Sequence, residues 1–394
     1  MNIQHLVEKF QAIFDTSEMP RAFFAPGRIN LIGEHTDYNG GHVFPAAISF
    51  GTYAIARKRH DRIIRFYSEN FSELGAMETH LDDLSYKKED DWTNYPKGVV
   101  AHFLLEGFSI DSGFDVLFYG NIPNGAGLSS SASIELATGV LLESLFELDI
   151  DRIDMVKIGQ KVENQYIGVN SGIMDQFAIG MGKENHAMLL DCDTLTYEYA
   201  PIVLENHDIV IINTNKRREL ADSKYNERRN ECEMALKDLQ TKLSIHSLGE
   251  LTVEQFEANQ SLIQNPTHQK RAKHAVAENA RTIEALKRLK EGDLITFGEL
   301  VNQSHISLRD DYEVTGVELD TIAENAWKQQ GVLGARMTGA GFGGCAIAIV
   351  EKAHTTQFQE NIAALYEEKI GYSPTFYIAA IGDGAKELEL KEEK

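Results

Sequence analysis

The run Pro123-Asn124-Gly125-Ala126-Gly127-Leu128-Ser129-Ser130-Ser131-Ala132-Ser133 separates two segments of opposite periodicity. Upstream, Phe114 to Tyr119 alternates in side-chain character and reads as a strand; downstream, Ile134, Ala137, Leu141 and Leu145 recur at helical spacing. A strand, a glycine-rich loop and a helix in that order place free backbone amides at a helix start. Glycines let those amides approach an anion closely. The serines add hydroxyl donors or a metal ligand. Phosphate binding is the expectation, although no Gly-x-x-x-x-Gly-Lys-Ser/Thr is present, so the loop is not a Walker A motif.

The rest of the chain narrows the partners. A net charge of -22 over 394 residues argues against a nucleic-acid surface and against docking on an anionic membrane. A few arginines, amides and a divalent cation can still reverse the potential locally. Three cysteines, Cys192, Cys232 and Cys345, without a Cys-x-x-Cys, predict neither a disulfide framework nor a structural zinc site. No apolar run reaches the ~18 residues of a membrane span, and Glu8 and Lys9 interrupt the apolar pattern of the first residues. A cytoplasmic protein is expected, and a monomer, since no long heptad pattern occurs.

The chain divides softly near residue 200. Before it, helical patterns (1–14, 151–166) mix with strands at 21–26, 43–57 and 63–67. After it, a helix-rich stretch from 219 to 330 follows a short buried strand at 208–213. Strands at 345–350 and near 374–382 close the pattern, the last expected to pack back on the first half. The tail from 386 reads as charged and loose. A small-molecule site belongs in the cleft between two such halves.

Three further constellations carry chemistry. Gly27 to Gly41 concentrates Arg28, Glu34, His35 and Asp37, a density of donors and acceptors that suits a polyhydroxylated ligand. Glu163 and Asp175 place two carboxylates near the phosphate loop, inviting a metal ligand and a base. Gly339, Gly341 and Gly344 satisfy Gly-x-Gly-x-x-Gly, but a strand follows them where a dinucleotide fold needs a helix. A tight turn, purely structural or supporting the other loop, is the better reading. The basic residues Lys224, Arg228 and Arg229 read mostly as a solvated helix face, and residues 305–320 as packing and caps.

The block Gly-Arg-x-Asn-Leu-Ile-Gly-Glu-His-x-Asp-Tyr resembles the galactokinase signature. The serine-rich loop and Gly-Ala-Gly-Phe-Gly-Gly-Cys resemble the second and third motifs of the GHMP small-molecule kinases. The resemblance runs from about Phe24 to Gly382 and implies a two-domain α+β GHMP fold. Residues 1–200 would form a ribosomal-protein-S5-like domain, and 201–394 a ferredoxin-like, helix-rich one. It implies transfer of the ATP γ-phosphoryl group to the anomeric hydroxyl of α-D-galactose, the first committed step of galactose catabolism, with galactose, ATP and Mg2+ as the small-molecule partners. Asp175 would be the catalytic base and Arg28 its partner. Glu34, His35, Asp37, Gly172 and Tyr225 would hold the sugar. Gly125, Ala126, Gly127, Leu128, Ser129, Ser130 and Ser131 would hold the phosphates, Ser131 and Glu163 the magnesium, and Trp92 and Tyr95 would flank the adenine. The rivals are a kinase of another sugar such as N-acetylgalactosamine, a silent sugar sensor and, on the third glycine motif alone, a dehydrogenase.

Overall fold

Alternation along Arg21–Asn30, Pro45–Lys58 and Phe114–Gly120 sends Phe23, Ala54, Val116 and Phe118 to one face of a sheet and Ala22, Ile55 and Leu117 to the other. The first face packs on Leu136, Val140 and Leu141 of the helix Ser130–Leu145. The second packs on Leu6, Val7, Phe10 and Phe14 of the helix Ile3–Phe14, whose start is capped by the Asn2 side chain. The computed structural model describes residues 2–123, 126–202, 204, 206–216 and 221–390; Gly125 of the phosphate loop lies outside them.

This first sheet has six strands in the order Lys386–Leu388, Arg21–Asn30, Pro45–Lys58, Phe114–Gly120, Ile63–Ser68, Met77–His80. Among the described residues of this sheet, only Ile63–Ser68 and Phe114–Gly120 pair in parallel. A four-stranded antiparallel sheet follows, in the order Val332–Thr338, Cys345–Glu351, His207–Asn213, Thr375–Ala379. Its two central strands, Cys345–Glu351 and His207–Asn213, are buried and apolar on both faces. Val210, Ile212, Ala346 and Ala348 face Tyr312, Ile322, Phe358 and Ile362. Ile209, Ile211, Ile347 and Ile349 face Ile29, Leu31, Phe44 and Ile48. That shared core seats the end of the strand Arg21–Asn30 under the second sheet. A small sheet of His42–Val43, His186–Asp191 and Tyr197–Pro201 completes the fold.

Several expectations shift. The tail read as loose contains Lys386–Leu388, which pairs with Ala22 to Phe24 at the sheet edge and gains three backbone partners there. Thr375–Ala379 joins His207–Asn213 in the second sheet, and the chain beyond it reaches Ile48 through Ile381. The strand expected at 21–26 runs on to Asn30, so Arg28 to Asn30 are strand residues. A register shift between Pro26 and Arg28 bends the strand there and re-aims the arginine. The helix expected over 151–166 is Arg152–Lys161, continued by a wider turn, Val162–Ile167, that carries Glu163. The third glycine motif is the turn between the antiparallel strands Val332–Thr338 and Cys345–Glu351, with no helix behind it.

Candidate active site

Ser129 occupies the cap position of the helix Ser130–Leu145, but its side chain does not cap it. Its hydroxyl donates instead to Asp175 Oδ2. The first helical turn therefore keeps its amides without a side-chain cap, and no acid lies in that turn. The Ser130 and Ser131 hydroxyls sit at this helix start. Both serines line a cavity of about 280 Å3, together with Gly127 and Ser129. Ala126 and Leu128 lie just behind, buried in the core shared by the two sheets.

The bulged strand end delivers Arg28 to the same cavity. Its Nε donates to Asp175 Oδ1 at 2.9 Å, its Nη2 to Asp175 Oδ2 at 3.0 Å, and its Nη1 to the carbonyl of Gly127 at 2.8 Å. The arginine is buried, whereas the Asp175 side chain keeps 32% of its surface open to the cavity. Asp175 stands in the first turn of the helix Met174–Met181. Its two oxygens offer about four lone-pair positions. Three donors occupy them, which leaves room for one more hydroxyl.

Glu163 lines the same cavity and is buried; loss of solvent raises its pKa, while hydrogen bonds with Ser131 and Ser171 act the other way. Among the described residues no group of three or more His, Cys, Asp or Glu is placed to hold a metal by itself.

The opposite wall is the signature block. Glu34 Oε2 accepts from Arg336 Nη2 at 2.7 Å, and its Oε1 from Asn30 Nδ2 at 3.1 Å. Burial pushes Glu34 up despite the Arg336 and Arg28 cations and the Asn30 hydrogen bond. His35 adopts φ 62°, and both its ring nitrogens have protein partners, Tyr38 and Ala340. Asp37 is pushed up to about 6 by burial and then by the nearby Asp175 carboxylate. Gly172 explains itself: a Cβ there would sit 1.9 Å from Asp37 Oδ2. Tyr225, from the helix Ala221–Gln240, closes the wall with its ring 5.6 Å from that of His35.

A second cavity, about 230 Å3, adjoins the first at Ser130 and Ser131 and is lined by Trp92, Tyr95 and Phe71. Trp92 and Phe71 stack with ring centres 6.5 Å apart. The indole Nε1 of Trp92 is buried with no hydrogen-bond partner.

The described residues expected at the site meet at these two cavities or directly behind the phosphate loop. What sequence reading missed are the groups behind them: Arg336, Asn30, Tyr38 and Tyr312. Arg336 and Tyr312 reach the signature block across 302 and 274 positions, so no local signal marked them; Asn30 and Tyr38 lie inside the block and bond Glu34 and His35 locally, and only their supporting role was missed. Arg228, read as part of a solvated face, is buried. Its guanidinium donates to the carbonyls of Tyr312 at 2.8 Å and Glu313 at 3.2 Å.

Three family signatures match the chain: the galactokinase galactose-binding signature over residues 8–58, the GHMP kinases N terminal domain over 94–183, and the GHMP kinases C terminal region over 282–368. A galactokinase of Ligilactobacillus salivarius is 62% identical over 97% of this chain and 98% of its own. One of Lactiplantibacillus plantarum is 61% identical over 98% of this chain and 100% of its own. The crystal structure of Lactococcus lactis galactokinase complexed with galactose superposes with a TM-score of 0.97 at 55% identity, covering 98% of this chain and 100% of that one. A motif-by-motif likeness thus extends over nearly the whole length, and the chain belongs to the galactokinase family of the GHMP kinases.

Proposed function

We propose that in this galactose-phosphorylating, ATP-dependent kinase Asp175 takes the proton of the sugar's anomeric hydroxyl as that oxygen attacks the γ-phosphorus. The observation that carries this is the clamp on Asp175. Arg28 grips both its oxygens, Ser129 holds one of them, and the uncapped helix start lies alongside. Phosphoryl transfer asks the protein for alignment and charge stabilisation more than for covalent help. Arg28 fixes the carboxylate and spreads positive charge towards the developing oxyanion. The backbone around Gly127 to Ser131 takes the nucleotide phosphates. Glu34, His35, Asp37, Gly172 and Tyr225 shape the sugar wall opposite.

Glu163 and Ser131 would hold magnesium. The fit lies in the donor set, a buried carboxylate with hydroxyl partners and, among the described residues, no ion pair to an arginine or lysine, which suits a hard cation. Such an ion supplies charge neutralisation between the phosphates. Trp92 and Tyr95 flank the adenine in the cavity they line beside Ser130 and Ser131.

The chain works as a monomer in the cytoplasm, divided near residue 200 into two domains. Three free cysteines suit a reducing compartment, and no helix among the described residues is long and apolar enough to cross a membrane. Incubation with galactose, ATP and Mg2+, read by 31P NMR for galactose 1-phosphate, tests the assignment when run beside Asp175→Asn. A variant turning over at the wild-type rate removes Asp175 from the role. N-acetylgalactosamine in the same assay tests the rival sugar.

A further inference from the structure

Tyr312 lies in the 305–320 segment that sequence reading left to packing, and it stands behind the sugar wall, outside the cavity lining. Its hydroxyl is 2.7 Å from that of Tyr38, which is itself 2.7 Å from His35 Nδ1. His35 Nε2 is 3.1 Å from the carbonyl oxygen of Ala340, in the third glycine turn. At the far end, Cys232 Sγ is 3.1 Å from the Tyr312 hydroxyl. Asn39 also lies against Cys232, and its amide donates to the His35 carbonyl at 2.8 Å. His35, Tyr312 and Cys232 are buried.

The proton positions follow from what each atom can do. A carbonyl only accepts, so Nε2 of His35 carries the hydrogen. A neutral imidazole has one N–H, so Nδ1 must accept, and Tyr38 is the donor. That uses the single hydroxyl hydrogen of Tyr38, whose oxygen then accepts from Tyr312. The Tyr312 oxygen accepts in turn from the Cys232 thiol. Burial, reinforced by His274 and by the Arg228 and Arg336 cations, lowers His35 to about 3 and keeps the ring neutral. Every hydrogen bond in the chain therefore points one way.

We infer that Tyr38 and Tyr312 are positioning residues for sugar recognition: their one-way chain of hydroxyls holds His35 in the Nε2–H tautomer and thereby pins Ala340 against the sugar cavity. This rests on the reading that the cavity wall at His35 receives galactose. Because both His35 nitrogens are engaged by protein, the ring acts as a fixed surface whose placement depends on residues that never meet the sugar.

The test is 15N NMR of histidine-labelled protein, with His35 assigned by His35→Gln, joined to steady-state kinetics. The wild type should show a protonated Nε2 and a bare Nδ1 at neutral pH. Tyr38→Phe should give a mixed tautomer and raise KM for galactose about tenfold, the scale of one buried acceptor left unpaired, with KM for ATP within about twofold of wild type. Tyr312→Phe should do less, since Tyr38 still donates. Cys232→Ser should be near silent, because it supplies the same donor. A wild-type spectrum with the hydrogen on Nδ1 overturns the inference even if Tyr38→Phe does not fold. So does a folded Tyr38→Phe with unchanged tautomer and unchanged galactose KM, or one that weakens both substrates equally. A galactose titration that leaves the His35 resonances unmoved removes the sugar from this wall, and the recognition role with it, while the chain itself would stand.

Discussion

Two loops that share the sequence Gly-Ala-Gly meet at Arg28 and do different work. The loop ending at Ser131 opens the helix Ser130–Leu145, so its backbone amides have no earlier turn to serve and remain free for an anion. The loop from Gly339 to Gly344 joins two antiparallel strands, so its ends are already committed to a ladder. Its glycines serve close approach. A Cβ on Gly339, at φ +85°, would lie 2.8 Å from the Gly127 carbonyl, and one on Gly341, at φ +82°, 2.3 Å from the Val314 carbonyl. The third motif braces the second. The element that follows a glycine run, more than the run itself, decides whether it binds or supports.

The sharpest way to break this comparison is at the group both loops surround. Asp175→Asn should still fold and lower kcat by ~10²-fold or more, the scale of general-base catalysis; a near-normal kcat would remove Asp175 from the role of base. Arg28→Lys keeps the charge but loses the fork that grips Asp175 and Gly127 together. Losing charge-assisted hydrogen bonds of about 1.5–3 kcal/mol should cost kcat/KM roughly 10- to 100-fold, measured with galactose varied at saturating ATP.

Asp37 tests the side of the cavity away from the glycine turns. Its folded pKa of about 6 lies above the ordinary carboxylate value, so it is charged, and a good acceptor for sugar hydroxyls, only above that pH. Hence kcat/KM for galactose should fall as pH drops through about 6, towards a tenfold loss one unit lower. Asp37→Asn should lack that inflexion. The same shift carries a stability sign. Between the unfolded and folded values the native state holds the extra proton, so raising pH through that window costs stability, and Asp37→Asn should recover it in thermal melts.

The smallest effects sharpen the contrast between the loops. Gly339→Ala should lose about 1–3 kcal/mol from its left-handed backbone and close contact, with a few-fold drop in kcat because Gly127 and Arg28 shift. Gly341→Ala should lose comparable stability with kcat/KM nearly intact, since its neighbour is Val314. Equal kinetic damage in both would erase the distinction between bracing the active site and bracing the fold.

Much of the site was legible because its chemistry is crowded into short segments. Glu34, His35 and Asp37 lie within four positions, and the phosphate loop announces itself by the change from alternating to helical period. Lys386–Leu388 was not legible, since a charged tripeptide becomes a strand only when an open edge lies beside it. Arg228 misled for the converse reason: a basic residue on a polar helix looks solvated until the carbonyls of Tyr312 and Glu313 are brought to it.

Sequence alone determined the local pieces: periodicity for strands and helices, glycines for the sharp turns, and residue types able to grip phosphate and sugar. These preferences act over a few neighbouring residues, so they can be read along the chain. Only the tertiary structure decided that Arg28 grips Asp175 across 147 positions, that Arg336 neutralises Glu34 across 302, and that Tyr312 reaches Tyr38 across 274. Such pairs exist because two sheets share one core and exclude water around them. Charges and hydroxyls shut away from solvent must then find partners wherever the packing delivers them.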